Sequence, residues 1–321
     1  MKFVFRTDVH ATEKAPASWK GDYLAELQSS LAQIGTIAKG AVAVLDGGDF
    51  FHIKAATRNS HALVAQMAAI HAAYPCPVYF VEGNHDLAYN NLDSVERQPL
   101  GVLFAAGVFK QLRDQVFEAN GLKVRVVGVP YEPDMELQTL RAIRKQPGDD
   151  FLIVIVHAFA SENPSAMQEE FFGESVFKYA DLISSDGPDV WAFGHWHQDQ
   201  GVTQIGNTTF VNQGSVSRGA LIKENLSRVP KVAVIEVTKA GVKVELIALQ
   251  VAPATEVFDL DAKTRVESER KDIENFVARL KENALQDPAT VIESSVASLD
   301  FASDVRAAAL HYLELARTES I

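Results

Sequence analysis

Pro77-Val78-Tyr79-Phe80-Val81 is an apolar, β-branched run, and Gly83-Asn84-His85-Asp86 follows one residue later. A run of that kind reads as a buried strand. The glycine lets the chain turn tightly at the strand's exit. An amide, an imidazole and a carboxylate then occupy three consecutive positions, with the polar Asn90-Asn91-Leu92-Asp93 beyond. That is a costly way to build a loop and a good way to start a metal or phosphate site.

The same arrangement recurs at four more strand ends. Asp8-Val9-His10 follows the run 2–6, and Gly48-Asp49-Phe50-Phe51-His52 follows 41–45. His157 ends the most apolar run, 151–156, which reads as buried on both faces. Gly194-His195-Trp196-His197 follows 189–193. Clusters at the carboxyl ends of strands lie on the rim where α/β folds bind ligands. Asp8, His10, Asp49, Asn84, His157, His195 and His197 are the candidate metal ligands. Imidazole, carboxylate and amide oxygen together suit manganese, iron or zinc and make a poor calcium cage. These residues suffice for two ions sharing one bridging carboxylate, with water completing each shell. No Walker loop, G-x-S-x-G elbow or dinucleotide fingerprint competes.

Helical periodicity joins many of the strands. Leu24, Leu27, Leu31 and Ile34 mark one helix, Leu63, Met67 and Ile70 a second, and Leu137, Leu140 and Ile143 another. Further strands are expected at 77–81, 124–129 and 208–211. The segments 231–237 and 242–247 flank Thr238-Lys239-Ala240-Gly241 as a hairpin, so the sheet should be mixed. The fold class is therefore α/β. Composition changes near Asp261. Helical stripes are expected over 266–284, from Asp287-Pro288, and from Ser303-Asp304. Two domains follow, a core over residues 1–250 and a helical appendage over 261–321 that packs on the core or docks a partner.

The chain has 321 residues and a formal net charge of -12. Nucleic-acid binders ordinarily present basic surfaces, so this balance argues against tight, metal-free DNA binding. No run approaches the ~18 apolar residues of a membrane span, and the amino-terminal run is too short for a signal peptide. Cys76 is the only cysteine, which excludes an intrachain disulfide and points to a reducing, cytoplasmic setting.

The five clusters resemble, in order, the D-x-H, G-D, G-N-H-D/E, H and G-H-x-H blocks of the calcineurin-like metallophosphoesterase superfamily. The resemblance implies a two-layer β-sandwich flanked by helices, with two divalent metal ions at one edge, manganese first and iron or zinc as alternatives. It places Asp8, His10, Asp49 and His197 on one ion. Asn84, His157 and His195 share the bridging Asp49 on the other. His85 would face the substrate phosphate and Asp86 would orient it. His52 and the segment Asn212-Gln213-Gly214-Ser215-Val216-Ser217-Arg218 are similar to positions in SbcD-type DNA repair exonuclease subunits. That similarity implies a manganese-dependent DNA exonuclease working with an SMC-like ATPase, with His52 positioning the terminal nucleotide. SbcD-type chains usually carry a longer DNA-capping region after the core than this sequence has. Ser215 and Arg218 are candidate substrate contacts, although Arg218 suits an ion pair with a nearby carboxylate better. A homodimer is compatible with the sequence.

Two other functions are weighed against this one. A phosphoesterase acting on cyclic nucleotides or phosphomonoesters suits the acidic charge. A scaffold that kept the fold and lost its chemistry should also have lost ligands, and none is missing. Trp196, Phe50 and Phe51 are expected in packing, and His61, His71 and His311 in structural or solvated positions.

Overall fold

Apolar runs with no polar face need cover on both sides, and the chain supplies it by stacking two sheets between helices. The computed structural model describes residues 1–16, 18–219, 221, 223–261, 268, 270, 271 and 273–275. In chain order the strands are β1 (Lys2–Arg6), β2 (Ala43–Asp46), β3 (Val78–Phe80), β4 (Phe109–Gln111), β5 (Asp114–Ala119), β6 (Leu122–Val129), β7 (Phe151–His157), β8 (Ala160–Ser161), β9 (Phe177–Lys178), β10 (Val190–Gly194), β11 (Gly201–Ile205), β12 (Thr208–Asn212), β13 (Lys231–Thr238) and β14 (Gly241–Ala248). One six-stranded sheet runs β14-β13-β1-β2-β3-β4 and the other β11-β12-β10-β7-β6-β5. In the first, β1 to β4 are parallel and the β13–β14 hairpin joins β1 antiparallel. In the second, β12, β10, β7 and β6 are parallel, with antiparallel β11 and β5 at the edges. The first sheet is mixed as the hairpin signal predicts, and the second is mixed through β5 and β11.

Side-chain alternation distributes the apolar residues over three layers. Phe3, Phe5 and Leu45 of the first sheet meet Val126, Ile153 and Ile155 of the second between the sheets. The opposite face of the first sheet, with Val4, Val44 and Phe80, is covered by helices α1 (Tyr23–Ile37), α2 (His61–Ala72) and α3 (Pro99–Ala105) through Leu31, Ile34, Met67 and Leu103. The outer face of the second sheet packs Val154, Trp191 and Phe210 against Leu140 of α4 (Leu137–Arg141) and against Tyr179. Each fully buried large apolar side chain contributes about 1.5–3 kcal/mol. Sequence-local caps start the first two helices. Asp22 accepts from the Ala25 N–H at 2.9 Å, and Ser60 accepts from the Leu63 N–H at 2.9 Å.

Five strands lie where the sequence pattern predicts none: β8 and β9, which pair only with each other, and β4, β5 and β11 of the two large sheets. β4, β5 and β11 are sheet edges. Edge strands pack on one side only and carry polar residues that discourage further pairing. β11 accordingly has no fully buried residue. A further helix, α5 (Ala166–Phe172), is opened by its own capping box. The Gln168 N–H donates to Ser165 Oγ at 3.3 Å while the Ser165 N–H donates to Gln168 Oε1 at 2.9 Å.

The chain divides into two units, Met1–Phe258 and Asp259–Ile321. The helices expected over 266–284, from Asp287 and from Ser303 lie almost wholly outside the described residues. No helix among the described residues is long and apolar enough to cross a membrane.

Candidate metal centre

The seven candidate ligands sit at or just beyond the carboxyl ends of five parallel strands, β1, β2 and β3 of one sheet and β7 and β10 of the other. The loops after β1 and β2 stay paired past the strand ends. The Asp8 N–H donates to Gly48 O at 2.9 Å, His10 N–H to Asp49 O at 3.0 Å, and Ala11 N–H to Phe50 O at 2.7 Å. This pairing holds Asp8, His10 and Asp49 at φ of 54°, 50° and 57°, and His195 stands at 86°. Left-handed backbone costs a non-glycine residue about 1–3 kcal/mol and persists only where surrounding structure over-determines it. Four of the seven such residues among those described are candidate ligands. Strain is therefore concentrated at this edge.

Ligand atoms of Asp8, His10, Asp49 and His197 lie within 4.8 Å of one another, and Asp49, His157 and His195 form a second group that shares Asp49. His10 Nε2 is 2.9 Å from His197 Nε2 and 3.7 Å from Asp49 Oδ2. His157 Nε2 is 3.5 Å from Asp49 Oδ2 and 3.3 Å from Asn84 Oδ1. Two glycines make the approach possible. A Cβ at Gly48, whose φ is 103°, would stand 2.6 Å from His157 Nδ1. A Cβ at Gly83 would run into the Asp49 carboxylate. Gly83 has no positive φ, so this position needs glycine for space and not for the turn that the sequence suggested.

Partners on the far side of each ring fix the second group. His157 Nδ1 pairs with Gly47 O at 2.6 Å. A carbonyl only accepts, so the proton sits on Nδ1 and Nε2 turns to Asp49. His195 Nε2 pairs with Glu174 Oε2 at 3.3 Å, and Tyr131 donates its hydroxyl to Glu174 Oε1 at 3.1 Å. A carboxylate behind a ligating imidazole sets its tautomer and raises its basicity. Nothing in the sequence pattern marks Glu174 or Tyr131.

The electrostatics favour positive charge at the centre. Burial raises the Asp8 carboxyl, but His197 and His157 outweigh it and bring it down to about 2. Burial likewise opposes ionisation of Asp49, and His157 and His10 drive it well below the ordinary range. Burial lowers His157, yet Asp49 and Asp8 lift it to about 9. His10, buried beside His197, is held well below its ordinary value.

The remaining predicted residues divide. His85 and His52 join His10 in a third group, with the His52 and His85 rings stacked at 5.5 Å. His85 Nδ1 pairs with the backbone oxygen of His52 at 2.6 Å. The contact expected from Asp86 is thus made by His52. The Asp86 carboxylate instead accepts from the backbone N–H of Asp49, Gly83 and Phe50 at 2.8, 2.9 and 3.1 Å. It braces two ligand loops and is not turned to the imidazole. Ser215 is buried, and its hydroxyl donates to Asp8 O at 2.7 Å. Arg218 is buried as well, bound to Glu26 and to Ala252 O, both at 2.8 Å. Neither side chain is free to meet a substrate here, and both serve as internal braces. Phe50 and Phe51 are in the core, and Trp196 is 6% exposed, packed on Phe159 and Phe172.

The donor set fits a pair of divalent ions. One orientation of the Asn84 amide turns its oxygen toward the Asp49 carboxylate and His195 Nδ1, all acceptors. The other turns Nδ2 inward and its oxygen to Lys54 Nζ at 3.2 Å. An inward oxygen among carboxylates and imidazole lone pairs is stable when a cation lies between them.

The sequence and the centre together assign the chain to a family. The calcineurin-like phosphoesterase model matches residues 1–199, and the chain belongs to that family of metal-dependent hydrolases, whose members bind two divalent metals. Among solved structures, a dimetal phosphatase from Danio rerio is similar at a TM-score of 0.50 and 13% identity, over 77% of this chain and 96% of that one. SoxB, a sulfate thiohydrolase from Thermus thermophilus, is similar at 0.45 and 13% identity, over 86% of this chain but only 61% of its own. An archaeal phosphodiesterase is similar at 0.36 and 11% identity, over 77% of this chain and all of that one. Such identities establish the fold alone. No curated protein sequence matches the chain.

Proposed function

We propose that this chain is a manganese-dependent phosphodiesterase that trims DNA ends as the nuclease partner of an SMC-like ATPase. The observation that supports the DNA reading is the pairing of His52 with His85. His52 both holds His85 Nδ1 through its carbonyl and stacks on its ring beside His10. A histidine at this place, with the segment from Asn212 to Arg218, is what the similarity to SbcD-type subunits rests on.

Asp8, His10, Asp49 and His197 would hold one ion, and Asn84, His157 and His195, with Asp49 shared, the other. Bound there, two ions supply an activated water and a clamp on the phosphate oxygens. His85 does what the ligands do not. With Nδ1 committed to the His52 carbonyl, its Nε2 is left to face the phosphate. There, as imidazolium, its Nε2–H stabilises negative charge or passes a proton to the leaving oxygen. Asp86 keeps the ligand loops together, and His52 orients His85 while its own ring meets the terminal nucleotide.

The net charge of -12 favours a second reading, a phosphoesterase of small mono- or diesters. End-labelled linear duplex DNA incubated with manganese, with and without the ATPase, separates the two. Nucleotide release from the ends is expected. Intact ends in both conditions, with turnover of chromogenic monoesters, would establish the small-substrate reading instead.

A further inference from the structure

A cleft of about 640 Å³ opens on the metal centre, lined at one end by Asp49, Asn84, His85, His195 and His197. Its other end is different in kind. Phe159, Met167, Phe172 and Trp196 form an apolar wall, with Gln168 and Gln198 at its margin. The Phe159 and Phe172 rings stack at 4.1 Å, and Trp196 meets Phe172 edge-on at 5.1 Å. Phe159 lies 4.0 Å from the His195 ring, so the wall begins at the ligands themselves. Packing accounts for Phe159 and Trp196, which are 8% and 6% exposed. It does not account for Met167, which is 78% exposed on α5.

We infer that this wall is a nucleobase subsite, taking the base of the nucleotide whose phosphate lies at the metal centre. The inference rests on reading that centre as a phosphodiesterase. A phosphate placed among Asp49, Asn84 and His85 shares its cleft with Met167 and Phe172. Thioether and aromatic surfaces are polarisable and suit a flat π-system. Among the described residues the wall presents no charged side chain, so a second phosphate is disfavoured there. Its margin carries two neutral amides, which suit the nitrogen and oxygen edge of a heteroaromatic ring better than a hydrocarbon arm. The Gln168 oxygen already accepts the Ser165 N–H, which leaves its amide N–H groups as the donors offered to such an edge.

The test is binding, read apart from turnover. The manganese-loaded full chain is titrated calorimetrically with deoxyadenosine monophosphate and with deoxyribose phosphate, which lacks the base. Stacking on such a wall should make the nucleotide bind on the order of tenfold tighter. Met167→Ala, at an exposed position that the fold does not need, should cut that advantage to about threefold or less while leaving deoxyribose phosphate binding unchanged. Gln168→Glu, which keeps an acceptor for the Ser165 N–H and removes the amide donors, should narrow it through the base edge and so supplies a second variant. Equal affinity for the two probes, binding of neither, or a preference that survives both substitutions would overturn the subsite. Failure of the DNA reading looks different: the nucleotide preference would remain while labelled DNA ends stayed intact.

Discussion

The two ligand groups that share Asp49 are held in place by different means. Asp8 and His10 are fixed from the backbone, with left-handed φ values, paired loops and the Ser215 hydroxyl on Asp8 O. His157 is fixed from behind its ring by Gly47 O, and His195 by Glu174 as well as by its own left-handed backbone. His10 Nδ1, by contrast, is buried with no hydrogen-bond partner. The lesson is that preorganisation can be stored in strained main chain or in outer hydrogen bonds, and the two fail differently. Loss of an outer partner weakens one site gradually. Loss of a residue common to both groups removes the centre.

Asp49→Ala tests the shared element and should have the largest effect. It removes the common carboxylate and also the acceptor of the His85 N–H, at 2.6 Å. Metal analysis should find both ions lost and no activity; one ion retained at full occupancy would mean that Asp49 does not bridge. His85→Ala should leave both ions bound and lower kcat by about 10²–10⁴. Loss of metal with activity restored by saturating manganese would reassign His85 as a ligand.

Glu174→Ala addresses the comparison directly. It should weaken only the ion on His157 and His195, by about 10–100-fold, with Tyr131→Phe giving a smaller change in the same direction. Titration with manganese should then show one weakened step and one unchanged. Equal weakening of both steps would show that the two groups are not separately held.

The smallest effect is on stability. His157 is lifted from 6.5 to about 9 in the metal-free fold by Asp49 and Asp8, against its burial. A group raised on folding contributes stability that is complete below its unfolded value and is lost as pH rises through the folded one. His197, also raised by Asp8 against its burial, acts with the same sign. The chelated protein should therefore melt at progressively lower temperature from about pH 6.5 to 9. Manganese should flatten that slope, because a bound cation takes the place of the proton. A melting temperature that is flat or rising across this window without metal would show that His157 is neutral there.

Legibility differed by position in the fold. The central strands were visible because parallel strands covered on both faces must be continuously apolar. β4, β5 and β11 were not, because an edge strand answers to solvent as much as to the core. Segment similarity makes Ser215 a candidate substrate contact and Arg218 a weaker one, better suited to an ion pair with a carboxylate, and an ion pair is what Arg218 makes. Which carboxylate it finds, Glu26 at 192 residues' distance, is what no local pattern carries. The family resemblance implies that Asp86 orients His85, but at the end of a strand adjacent side chains need not meet. Its carboxylate binds the backbone of the neighbouring loop.

The sequence by itself determined the fold class, the family and the set of groups at one rim, because buried parallel strands advertise themselves and ligands must follow where they end. Only the tertiary structure decided how those groups are held. The left-handed turns at Asp8, His10 and Asp49, the contact of Glu174 with His195 from 21 residues upstream, and the apolar wall beside the centre arise where separate loops meet. The forces that fix them are non-local, and a pattern read along the chain does not contain them.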